Sequence, residues 1–151
     1  MKNILAILIV MVMASISTFA SDGIKEVDGK YYTKDGKEFT GKLESYYENG
    51  QLSQVQHFSL GLVEGPIIRY YENGNIKEIG HYTDNSKSGQ WTRWDDANRI
   101  VAIAKYTQGL KDGKWIVWDS NKGVRYEISY NAGNRENVKV VESDGSMLAS
   151  K

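Results

Sequence analysis

The chain contains no cysteine and a single proline, Pro66. The first absence excludes disulfide staples, which an exported chain might otherwise use, and closes the lipoprotein route, which needs a cysteine at the new N-terminus. Packing and hydrogen bonds alone must hold the fold. An excess of either charge is also lacking: 19 Lys and Arg stand against 19 Asp and Glu. The charges are scattered singly, so there is neither the basic footprint of a nucleic-acid binder nor a polybasic block for anionic lipid. No apolar run reaches the roughly 20 residues that a spanning helix needs. The longest, Ile4 to Ala14, has eleven.

That run has a shape of its own. Lys2 gives it a positive start, and Ser15 to Ala20 turns small and polar behind it. The pattern predicts a secretory signal peptide over residues 1–20, cut between Ala20 and Ser21, and hence export to the periplasm or beyond. Cleavage removes one Lys and leaves 18 basic against 19 acidic side chains, a net charge of −1. The 131 residues that follow suit one domain by length.

What is abundant is equally informative. Fifteen Gly, ten Tyr and four Trp favour many short strands joined by tight turns. The chain repeats every 24 residues from Gly41, with units at 41–64, 65–88, 89–112 and 113–136. The third column reads Leu43, Ile67, Trp91, Trp115; the sixth Tyr46, Tyr70, Trp94, Trp118. The twelfth is Leu52, Ile76, Ile100, Val124, and the eighteenth Phe58, Tyr82, Tyr106, Tyr130. Each unit reads as one β-hairpin, with strands near 42–48 and 51–59, 66–72 and 75–83, 90–96 and 99–107, and 114–120 and 124–131. The predicted fold is all-β: an elongated, twisted antiparallel meander of tandem hairpins.

Asn49-Gly50 and Asn73-Gly74 predict two-residue type I′ turns. Ala97-Asn98 and Asn121-Lys122-Gly123 are weaker signals and predict longer turns. A second turn at positions 19 to 23 of each unit leads to the next. A two-residue turn places Tyr47 opposite Leu52 and Gly41 opposite Phe58. If the register carries on, Phe58 also neighbours Gly65, and each unit-opening glycine lies between two rings. Residues 21–40 read as N-terminal capping strands with tight turns at Asp28-Gly29 and Asp35-Gly36. Residues 137–151 read as a partial unit and C-terminal cap, frayed from Met147 on.

These residues resemble a known repeat. YYENGQL and YYENGNIKE, with the linker GLKDGKW, are similar to the variant MORN repeat, and the lead-in YYTKDGKEFTG resembles bacterial proteins of the YwqK-type antitoxin family. The resemblance implies consecutive hairpins in one sheet, a binding or scaffolding role, and for some relatives a place in a toxin–antitoxin pair. It carries no catalytic residue.

Chemistry is sparse. His57 and His81 share one column, two strands apart, roughly 9–10 Å at about 4.8 Å per strand. One zinc ion binds nitrogens at about 2.0–2.1 Å, so neither metal nor cofactor is expected. Asp95, Asp96 and Asp119 adjoin tryptophans and raise the alternative of a carboxylate pair acting on an envelope glycan. Asp95 and Asp119 occupy the column of Tyr47 and Tyr71, however, and a single-layer sheet offers few buried pockets to shift a pKa. The candidate binding surface is aromatic: Tyr46, Tyr47, Tyr70, Tyr71, Trp91, Trp94, Trp115 and Trp118. The bland reading of the same rings is packing within the sheet. Together these features predict a non-catalytic exported protein that binds another protein or an envelope component. An immunity protein for a secreted toxin is the second reading.

Overall fold

A computed structural model describes residues 23–142, together with the backbone of 147–150. The signal peptide expected over residues 1–20 lies outside them. A two-stranded sheet of β1 (Lys25–Val27) and β2 (Lys30–Tyr32) comes first. Eleven strands follow: β3 (Gly41–Tyr46), β4 (Leu52–Ser59), β5 (Leu62–Tyr70), β6 (Ile76–Thr83), β7 (Ser86–Trp94), β8 (Ile100–Thr107), β9 (Leu110–Lys111), β10 (Gly113–Asp119), β11 (Val124–Asn131), β12 (Asn134–Glu142) and β13 (Met147–Ser150). They form one antiparallel meander in chain order, with the short β9 paired to β8 beside β10. The tandem-hairpin architecture is therefore as expected. Residues 147–150 do not fray: they pair with β12.

The turn chemistry is the reverse of the expectation. Within units one and two, only the glycine of Asn-Gly has positive φ (Gly50 83°, Gly74 85°). Tyr47 N–H donates to Gln51 O and Gly50 N–H to Tyr47 O, which is a three-residue loop closed by a glycine bulge. Asn49 Oδ1 accepts from Gln51 N–H at 2.9 Å, so the Asn braces the loop with its side chain. Unit three makes the same loop with Asn98 (φ 62°) in the glycine position, and so is no longer than the others. Unit four alone is longer: Asp119 pairs with Val124 across Ser120–Gly123. The type I′ turns are the links between strands of successive units, at Leu60-Gly61, Asp84-Asn85, Gln108-Gly109 and Ala132-Gly133. Every one of these eight residues has φ between 45° and 87°.

The longer loop moves the register near the turn, where Tyr46, not Tyr47, faces Leu52. A bulge at Ser53 then restores it, and Gly41 does face Phe58. At the next junction, Gln56 pairs with Ile67 but Phe58 with Val63. Two extra residues of β5 bulge there, so Phe58 does not neighbour Gly65. A one-residue slip would turn each later side chain to the other face; two preserve it. Gly65 (φ 100°), Gly89 (67°) and Gly113 (69°) sit in these bulges, and no ring lies where their Cβ would be. These three glycines serve backbone conformation, whereas at Gly41 the Phe39 ring lies 3.0 Å from where a Cβ would be. Pro66 occupies the same bulge, one of the few sheet positions that tolerates a missing N–H.

Successive units are tied at both ends. Gly61, Asn85, Gly109 and Gly133 donate backbone N–H to Phe39, Val63, Lys87 and Lys111 O at 2.8–3.0 Å. At the hairpin-loop end, the Tyr47 hydroxyl donates to Tyr70 O at 2.6 Å and the Tyr71 hydroxyl to Trp94 O at 2.8 Å. The β1–β2 hairpin does not extend the large sheet. It folds over the first inter-unit turn, with Tyr31 N–H donating to Gly61 O and the rings of Tyr31 and Phe39 4.6 and 5.5 Å from Phe58.

Candidate binding face

The two faces of the sheet have different chemistry. On the first, columns three and eighteen interleave as a ladder of rings: Tyr82, Trp91, Tyr106, Trp115, Tyr130, with successive centroids 5.1–6.0 Å apart and mostly edge-on. Each such pair contributes about 0.5–1.5 kcal/mol beyond its buried area. Lys87 Nζ lies 3.8 Å from the Trp91 ring and 5.0 Å from Tyr106. Lys111 repeats the arrangement over Trp115 and Tyr130. Burial holds the Lys87 ammonium below the usual lysine pKa and the Tyr106 hydroxyl above the usual tyrosine one. Buried Phe58, Val63, Ile67, Trp91 and Ala104 belong to this face, whereas buried Val141 of β12 pairs with Arg125. Buried Glu78 belongs to the first face too, held between Arg69 and Arg93 on the flanking strands, while Gln54 Oε1 accepts from Arg69 Nε. Trp91 and Trp115 therefore serve packing.

The second face carries two apolar rows. Register pairs Val55, Ile68, Ile79, Thr92, Ile103 and Ile116 in one unbroken line across six strands. Glu44 ends the line on one side and Glu127 on the other. Every one of the six is half-buried: shielded by its neighbours, and covered by nothing among the described residues. The second row combines the sixth and twelfth columns: Tyr46 with Leu52, Tyr70 with Ile76, Trp94 with Ile100. The bulge after the twelfth position brings this row to the same face as the first. Tyr46 donates its hydroxyl to Glu44 at 2.6 Å. The rings of Tyr70, Trp94 and Trp118 have no ring partner and no side-chain hydrogen bond among the described residues. Tyr47 and Tyr71 spend their hydroxyls on the next unit, and burial raises both above the usual tyrosine pKa.

Trp118 also lines a cavity of about 280 Å³ at the loop ends of units three and four, with Asp95, Arg99, Ile100, Asp119 and Arg125. Both aspartates there are committed to their own loops. Asp95 Oδ1 accepts from Arg99 N–H at 2.8 Å and Ala97 N–H at 3.1 Å, and Oδ2 from Arg99 Nε at 2.8 Å. Asp119 accepts from Lys122 N–H at 3.2 Å and pairs with its Nζ at 3.1 Å. Those bonds hold both carboxyls below the usual carboxylate range, the wrong direction for a general acid at neutral pH. His57 and His81 lie along the edge of the second face. No group of three or more His, Asp or Glu among the described residues is placed to hold a metal ion, and no helix long and apolar enough to cross a membrane occurs among them.

Residues 39–59, 63–84 and 111–132 match the family model of the MORN repeat variant. Three segments of this chain are thus similar to the MORN repeat variant. They cover most of units one, two and four, whereas residues 85–110, nearly all of unit three, lie outside them. That unit replaces Tyr-Tyr by Trp94-Asp95 and the loop glycine by Asn98, yet it makes the same three-residue loop and the same register. No curated protein matches the chain.

The branched row was missed in the sequence reading. Its signal was present in the fourth column (Glu44, Ile68, Thr92, Ile116) and the fifteenth (Val55, Ile79, Ile103, Glu127). These columns carry no aromatic, so the periodicity of the rings does not mark them.

Proposed function

We propose that this is a non-catalytic exported repeat protein that binds a protein partner, in the cell envelope or outside, through the second face of its sheet. One observation carries the reading. The ring ladder and ion network complete the first face internally, while the second leaves Tyr70, Trp94 and Trp118 without partners among the described residues, beside a branched apolar row. Trp and Tyr beside apolar surface are the side chains that dominate binding energy at interfaces. Export is supported by Lys2 and the apolar run Ile4–Ala14.

A photo-crosslinking side chain at Thr92, in the middle of the row, tests this. The expected result is a reproducible crosslink to envelope or secreted protein, lost when Ile79→Lys is added. A crosslinker at Arg93, which lies on the first face opposite Glu78, that captures the same partner equally well would overturn the assignment of the face. A toxin as the captured protein would establish the immunity reading suggested by the YwqK-type resemblance.

A further inference from the structure

We infer that the partner of this face is a second copy of the chain, packed face to face about a two-fold axis along the direction in which the strands stack. The inference rests on the proposed binding face and names its occupant.

Charge gives the first argument. The rim at the hairpin loops carries Glu48, Glu72 and Asp96, one in each of units one to three, each exposed and without an ion-pair partner among the described residues. The opposite rim of the same face carries Lys42 beside His57, then His81, then Lys105. Lys42 is paired with Glu44, whereas Lys105 is exposed and has no carboxylate partner among the described residues. When two such faces meet, a two-fold axis along the strands sets acidic rim on acidic rim. A two-fold axis along the stacking direction sets each acidic rim on the other copy's basic rim, unit over unit. Asp96 then meets Lys105 of the other copy, Glu72 meets His81, and Glu48 meets Lys42 and His57. Such a contact is isologous and closes with two copies.

Area gives the second. The branched row spans six strands, about 29 Å at 4.8 Å per strand. With roughly 20 Å of each strand in contact, the footprint is on the order of 600 Å² per copy, or about 1,200 Å² in total, the lower bound of a stable specific interface. The packing is that of a two-sheet sandwich, whose inner faces interdigitate about 10 Å apart.

The test is sedimentation equilibrium of the chain over a micromolar range. The wild type is expected to be dimeric. Asp96→Lys and Lys105→Glu are each expected to raise the dissociation constant roughly tenfold through like-charge contact, and the double variant Asp96→Lys/Lys105→Glu to restore it. The restored double variant excludes misfolding as the cause. A dimer unaffected by either reversal, or two single losses that add without recovery, would overturn the geometry. A monomer at all concentrations overturns the inference. If that monomer still crosslinks to another protein from Thr92, the proposed binding face survives; if it captures nothing, both fall.

Discussion

Gly80 pairs with Ile67 on one neighbouring strand and lies under the Trp91 indole of the other; a Cβ there would meet the ring at 2.2 Å. Its backbone φ is ordinary, so its role is steric, unlike that of the bulge glycines. Gly80→Ala must displace a buried ring from a ladder of five, and overpacking of this kind costs about 1–3 kcal/mol. Urea denaturation should show that loss, while a stability within a few tenths of wild type would mean that the ring shifts freely. The aromatic columns were legible in the sequence because rings recur every 24 residues. Their division between faces was not. It depends on a one-residue bulge within each of the first three units and a two-residue bulge at each junction between units, and the side chains at these sites show no distinctive pattern. The role of Gly80 was hidden for a related reason: its column reads Gln56, Gly80, Ala104, Ile128, so only the fold reveals that Trp91 leans into it.

At the scale of the turn, Asn-Gly pointed to a tight loop but to the wrong kind. The glycine takes the left-handed conformation, and the Asn side chain braces the loop. Residues such as Leu60 and Gln108 accept positive φ at the type I′ links instead, because the strand register imposes it. Leu60 pays for this with φ 49° and a 65% exposed side chain. Leu60→Asn should therefore stabilise the chain by about 1 kcal/mol, since Asn tolerates this region and Leu does not. A lower Tm in that variant would contradict the assignment. The Asp95 and Asp119 loops predict a pH dependence. Both carboxyls have folded pKa values below the usual range. Their stabilisation is therefore present above the ordinary carboxylate pKa and is lost as pH falls through the lowered folded values. Asp95→Asn should flatten the acid limb of a Tm-versus-pH curve. An unchanged limb would show that Asp95 does not contribute to it.

Over the whole molecule, the sheet is held unit to unit by backbone bonds at one end and tyrosine hydroxyls at the other. The second clamp stops at unit three, where Asp95 replaces the tyrosine and serves its own loop. Tyr71→Phe removes one such clamp and should cost about 0.5–1.5 kcal/mol, measured by thermal or urea unfolding; no loss would mean that Trp94 O finds water instead. The 24-residue period made the meander and its four hairpins legible. The position of the N-terminal cap was not, because a hairpin folded across turns and one added to a sheet edge have the same local sequence signals. The central claim is that two tryptophans hold the sheet and two face a partner. The direct test is to replace each by alanine and measure both unfolding and Thr92 crosslinking. Trp91→Ala and Trp115→Ala should lose about 3–5 kcal/mol of stability, whereas Trp94→Ala and Trp118→Ala should lose less than about 1 kcal/mol and most of the crosslink. Four variants with equal losses of stability, or a crosslink that survives without Trp94 and Trp118, would contradict it.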